Sequence, residues 1–199
     1  MADTLVLDLD GTLITDCFPH ARPSPSIRML EIPSCDGIPD RFVPRPHVEP
    51  FLIGCRDLFK GIILATFSPQ GRAQTVLETS GIQRYFDLVV GREMLVTAGG
   101  RVLEGYPPEY AFTMEGDFGL VDDFSWISPV VLLKMSFLGV DILPAVEMLA
   151  KGGTPPLFPE IEDRYIQAPE FLGDPDDIFL LDLLDAFEKN FRSDAVISA

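Results

Sequence analysis

The sequence predicts an α/β fold, a doubly wound and mostly parallel sheet built by one domain spanning residues 1–199. Three observations predict it. Short, almost wholly apolar runs (Leu5–Leu7, Ile62–Ala65, Phe118–Val121) are what strands buried on both faces need. Between them lie stretches with apolar residues at three- and four-residue spacing, the mark of helices. The apolar runs end in Asp8 and Asp10, in Thr66 and Ser68, and in Asp122 and Asp123. Open parallel sheets bind their ligands beyond such strand ends.

The first run passes Leu5, Val6 and Leu7 into Asp8, and Gly11 breaks it, so a buried strand ends in a tight loop. Alternation places Asp8 and Asp10 on one side. Two carboxylates there can hold Mg²⁺, which takes hard oxygen ligands. One can attack a phosphoryl group, and the other can pass a proton to and from the leaving oxygen. Gly11 permits a sharp turn that brings backbone N–H groups toward a phosphate. An Asp-Gly turn after a short apolar run is also an ordinary structural feature, so the later strand ends have to carry the case.

Residues 14–45 form a small insert punctuated by Pro19, Pro23, Pro25, Pro33, Pro39 and Pro44, read as a long loop or a small irregular sheet. Met29–Ile32 and Arg41–Val43 are its candidate edge strands. His20 and His47 flank it without the spacing of a metal site. A helix follows from Val48 to Phe59 and closes at Gly61. Ile62–Ala65 is a central strand, and a second helix starts with Ser68 as cap and Pro69 in first position. Phe86–Val90 is the next strand, residues 91–117 read as loop, and Phe118–Val121 is a strand that delivers Asp122 and Asp123. Helical material continues to about residue 150, with a Gly/Pro break from Gly152 to Pro159. A last helix is expected behind Asp174, Pro175, Asp176 and Asp177.

Charge limits the partners. Fifteen basic against 31 acidic residues leave a net charge of −16. Nucleic acid and anionic membrane surfaces are therefore excluded as expected partners, because both need Lys and Arg. Cys17, Cys35 and Cys55 are an odd set with no C-x-x-C, which points to a reducing compartment, cytoplasm or nucleus. The chain enters its first strand at once, leaving no room for a signal peptide. Ile127–Leu149 is the most apolar window, but Lys134, Asp141, Pro144 and Glu147 mark it as core helix rather than membrane span.

Asp8-Leu9-Asp10-Gly11-Thr12-Leu13 matches D-x-D-G-[TV]-[LV], the first motif of the haloacid dehalogenase superfamily, and the chain resembles that superfamily. Thr66 matches its second motif and Asp122-Asp123 its fourth. Arg45-Pro46-His47-Val48-Glu49-Pro50-Phe51-Leu52 is similar to the R-P-G-[VL]-x-x-F-L signature of one branch, the phosphatases of the RNA polymerase C-terminal domain and their small relatives. Ala65–Ser68 resembles that branch's T-A-S, and Arg92-Glu93 its R-E. The third motif, a Lys before the last catalytic strand, has no counterpart: counting from Gly100 lands on Glu104. Arg101 is the expected stand-in for that cation, ahead of Arg92 and Arg72. Lys134 follows the fourth motif and would need an unusual path.

The resemblance implies a Mg²⁺-dependent phosphomonoester hydrolase with an aspartyl-phosphate intermediate. Asp8 would be the nucleophile and Asp10 the general acid and base. Mg²⁺ would be held by Asp8, the Asp10 carbonyl, Asp122 and Asp123. Leu9, Gly11, Thr12, Thr66, Phe67 and Ser68 would surround the phosphate. Relatives acting on small metabolites carry large caps, and none fits in 14–45, so a phosphoserine or phosphothreonine protein segment is the expected substrate. Residues 130–162 diverge from the family as a helical insertion. The missing Lys keeps a second reading open, a catalytically weak or inactive fold that binds a protein, like the mitochondrial import receptor that shares the branch's fold.

Overall fold

A computed structural model describes residues 3–17, 29–33, 38–103, 118–125, 127–155 and 164–197, apart from the side chains of 98–103, 118 and 191–197. Cys35, His20, Pro19, Pro23 and Pro25 lie outside the described residues. The first strand is Thr4–Leu7 (β1). The insert contributes Ile14–Asp16 (β2), Leu30–Ile32 (β3) and Asp40–Pro44 (β4). Then come Val48–Leu58 (α1), Gly61–Ala65 (β5), Gln70–Ser80 (α2), Leu88–Val90 (β6), Arg92–Leu103 (α3) and Phe118–Asp122 (β7). Pro129–Phe137 (α4), Leu143–Ala150 (α5), Tyr165–Gln167 (β8) and Phe179–Ile197 (α6) complete the order.

Strands β6, β5, β1, β7 and β8 lie side by side in that order, all parallel. The predicted α/β class is therefore the observed one. Leu7 sits opposite Leu64 on one side and Val121 on the other, so β5, β1 and β7 end level. The level ends bring Thr66, Asp8 and Asp122 to one edge of the sheet.

Strand alternation splits the core in two. Leu5, Leu7, Ile62 and Leu64 face Phe51, Leu52 and Cys55 of α1 and Leu180 and Leu183 of α6. Val6, Ile63, Ala65 and Leu120 face Leu95 of α3, Val131 and Met135 of α4 and Ala145 of α5. These central strands need apolar side chains on both faces, which is why they read as continuous apolar runs.

The insert is a three-stranded antiparallel sheet, β2-β4-β3. Both expected strands are present, but only β3 is an edge: β4 is central, because β2, an unexpected third strand, pairs along its other side. Residues 92–103, expected as loop, are helical: Leu95 is fully buried and α3 packs on α4, which overrides the cost of Gly99 and Gly100 inside a helix. Helix α2 begins after Pro69 without a Ser68 cap, because the Ser68 hydroxyl is turned to Asp10, 2.8 Å away. Glu93 instead accepts from the Gln70 N–H at 2.9 Å. Helix α6 starts later than expected. Asp174 closes a local turn on the Asp176 N–H (3.0 Å), and Asp177 accepts from Phe179 N–H at 2.9 Å.

His47 explains one departure from the branch signature. It has φ 64° and ψ 12°, the left-handed conformation that glycine supplies at no steric cost. The glycine of the similar R-P-G signature falls at this position. His47→Gly is therefore expected to stabilise the fold by about 0.5–1 kcal/mol, strain relief partly offset by unfolded-state entropy. Urea titration checks this, and a lower midpoint at unchanged slope contradicts it.

Candidate active site

Asp8 follows β1 directly and is 3% exposed, with its N–H donating to Val121 O at 2.9 Å. Its Oδ1 accepts from Lys134 Nζ at 2.5 Å. Lys134 is fully buried on α4 and also donates to Asp122 Oδ2 at 2.5 Å. One ammonium thus bridges the carboxylates at the ends of β1 and β7. Burial pushes the Asp8 carboxyl up, with Lys134 opposing and Asp122 adding to the rise. Burial also disfavours the Lys134 ammonium, but Asp8 and Asp122 together outweigh it and hold its pKa above the usual value. The lysine is therefore a fixed positive charge.

The cation thus reaches Asp8 from an element that follows the fourth motif in the chain. The Arg101 side chain, expected in this role, lies outside the described residues. The path that looked unusual for Lys134 is short in space. β7 and β1 are neighbours, and α4 lies on the sheet face beside Val6 and Leu120. The signal was available: a lysine three residues after Val131 sits in the buried stripe of an apolar helix, where an ammonium needs a carboxylate partner.

Asp10 points elsewhere. Its Oδ2 accepts from Ser68 Oγ at 2.8 Å and from Thr66 Oγ1 at 3.4 Å, while Oδ1 accepts from Arg72 Nη1 at 2.9 Å. The second strand end is thereby joined to the first. Phe67, between the two hydroxyls, is 37% exposed and lies under the Arg92 guanidinium, 5.9 Å from its ring centre.

The Gly11 loop differs from expectation in one respect. Its N–H donates to Ile14 O at 2.8 Å, so it closes the turn instead of facing a phosphate. Gly11 has φ 79°, and an added Cβ would lie 2.3 Å from Asp123 Oδ2. The positive φ therefore demands glycine here, and the Asp123 carboxylate would have to shift to admit any side chain. Leu9 is buried, and its carbonyl accepts from Leu13 and Ile14 N–H at 2.8 and 3.0 Å. Thr12 is fully buried, and its carbonyl accepts from Arg45 Nη1 at 3.0 Å.

Arg45 holds this loop to the C-terminal part of the chain. Its Nε and Nη2 pair with Asp177 at 3.1 and 2.8 Å, and its guanidinium lies 5.3 and 4.6 Å from the ring centres of Phe171 and Phe179. The Phe171 N–H donates to Gly11 O at 2.7 Å, and Ala168 N–H donates to Asp122 O at 2.8 Å. The segment after β8 thus supports both the Gly11 loop and the end of β7.

Asp8, Asp122 and Asp123 offer carboxylate oxygens within 4.8 Å of one another. Asp123 Oδ1 is buried without a hydrogen-bond partner, and burial with the Asp122 charge beside it pushes the Asp123 carboxyl up to about 6. A buried, unpartnered oxygen in an all-carboxylate group fits a hard divalent cation such as Mg²⁺. Among the described residues no helix is long and apolar enough to cross a membrane.

Among solved structures the chain is similar to Fcp1, described as an essential RNA polymerase II CTD phosphatase, at 15% identity, 96% coverage of this chain and a TM-score of 0.48. It is also similar to the fission yeast RNA polymerase II CTD phosphatase Fcp1 bound to beryllium fluoride, at 12% identity, 96% coverage and a TM-score of 0.44. It spans 63% and 51% of the lengths of those two chains. No curated protein matches. The family model for NLI interacting factor-like phosphatases matches residues 3–103, which hold Asp8, Asp10, Thr66 and Ser68 but neither Asp122 nor Lys134. On that match, over half of its length, the chain belongs to the NLI interacting factor-like phosphatase family.

Proposed function

We propose that this chain is a Mg²⁺-dependent phosphomonoester hydrolase that acts through an aspartyl-phosphate on phosphoserine or phosphothreonine in protein segments. The observation that carries it is the contact of the buried Asp8 carboxylate with the Lys134 ammonium, 2.5 Å away at the end of the central strand. A nucleophilic carboxylate approaching a phosphate dianion needs such a fixed charge. Family membership supports the same chemistry.

An Asp8 oxygen attacks phosphorus in line, and the P–O bond to the leaving group breaks as the new bond forms. Asp10 gives its proton to the leaving oxygen and then takes one from the water that hydrolyses the aspartyl-phosphate. Lys134 offsets the charge of Asp8 and of the phosphate throughout. The hydroxyls of Thr66 and Ser68, now on Asp10, are the donors within reach of phosphate oxygens. Asp8, Asp122 and Asp123, with the Asp10 carbonyl, would hold Mg²⁺, which when bound would supply charge neutralisation and a template for the phosphate.

A protein segment is favoured as substrate because α4 and α5 serve as core on the sheet face, leaving the small insert sheet as the described element beside the site. The protein-binding alternative drew its support from the absent cation, which Lys134 supplies. The test is hydrolysis of phosphoserine and phosphothreonine peptides with and without Mg²⁺. Activity is expected to vanish on chelation and in Asp8→Asn, which is nearly isosteric and keeps its fold by circular dichroism. An Asp8→Asn protein with wild-type turnover would refute the assignment.

A further inference from the structure

One arginine joins Asp10 to the insert. Arg72, on the first turn of α2, donates through Nη1 to Asp10 Oδ1 (2.9 Å) and to Ser68 Oγ (2.7 Å). Its Nη2 pairs with Asp16 Oδ1 in β2, and its Nε lies 3.7 Å from Asp40 Oδ2 in β4. Its side chain is only 17% exposed. A planar guanidinium fork fixes several oxygens at once, which a flexible ammonium cannot do.

We propose that Arg72 is a positioning residue that holds the Asp10 carboxyl for proton transfer and makes that position depend on the seating of the insert sheet. This rests on the phosphatase reading above. The two Asp10 oxygens have different partners. Oδ2 is held by the Thr66 and Ser68 hydroxyls, the groups that a phosphate recruits. Once they turn to phosphate, Oδ2 is free to face the leaving oxygen, while Arg72 keeps Oδ1 in place. As the Asp8–phosphorus bond forms and the ester P–O bond breaks, the Asp10 proton passes to the departing oxygen. Asp16 and Asp40 anchor the other edge of the same guanidinium, so a shift of β2 or β4 moves the acid.

Leaving-group dependence tests this without confusing it with folding. p-Nitrophenolate departs with little need of a proton, whereas phenolate and the serine alkoxide need one. Compare kcat/KM for p-nitrophenyl phosphate, phenyl phosphate and a phosphoserine peptide in wild type, Arg72→Ala and Asp16→Asn. Arg72→Ala is expected to lose about 100-fold on phenyl phosphate and the peptide but less than about threefold on p-nitrophenyl phosphate, as loss of an aligned acid would give. Asp16→Asn, which leaves the Arg72–Asp10 contact in place, should show the same selectivity at about one tenth of the size. Equal losses on all three esters, or none, in an active protein overturn the role of Arg72 alone. A wild type that hydrolyses no ester overturns the phosphatase reading and this role with it.

Discussion

Lys134→Met is expected to lower kcat by about 10³-fold, the scale seen when a fixed charge is removed from a transferring phosphoryl group. The Met side chain fills the space of the lysine stem but leaves Asp8 and Asp122 facing each other with no cation between them. The oxygens to which the ammonium now donates are each 2.5 Å from it. Without it the Asp8 carboxyl is expected to be either protonated or repelled by an incoming phosphate. Lys134→Arg should not rescue, because a wholly buried pocket shaped for an ammonium has no room for a planar fork. Steady-state kinetics with p-nitrophenyl phosphate in saturating Mg²⁺, on protein shown folded by circular dichroism, give the answer. If Lys134→Met stays within tenfold of wild type while Arg101→Ala collapses, the cation comes from α3 instead.

Arg45→Met is expected to destabilise the fold by about 3–5 kcal/mol, the usual penalty for breaking a buried ion pair from one side. That is a large share of the stability of an ordinary domain. The arginine is fully buried, and three contacts go at once: the bidentate pair with Asp177, the bond to Thr12 O and the stacking on Phe171 and Phe179. Asp177→Asn should cost a comparable amount, because the wholly buried guanidinium then loses its counter-charge, although the amide oxygen can still accept from Phe179 N–H. Equilibrium urea unfolding of both variants measures the two losses. A loss below about 1 kcal/mol for Arg45→Met would mean that water or a neighbour replaces the guanidinium.

By itself the sequence determined four of the five strands of the main sheet, all but β8, and which carboxylates and hydroxyls stand at their ends. Apolar runs such as Leu5–Leu7 and Ile62–Ala65 admit little but central parallel strands, and such strands leave their terminal Asp8 and Thr66 at one edge. This information is local, carried by residues a few positions apart. Tertiary structure decided which charges meet. Lys134 and Asp8 are 126 positions apart, and Arg45 and Asp177 are 132. No period or spacing encodes those separations, because each pair depends on how whole elements pack. A helix boundary moved for the same reason. Ser68 would cap α2 by local rule, but its hydroxyl is drawn to Asp10 in the loop after β1. Burial decided the rest: in a dry site every charge must find an opposite one, and packing alone determines which partner lies within reach.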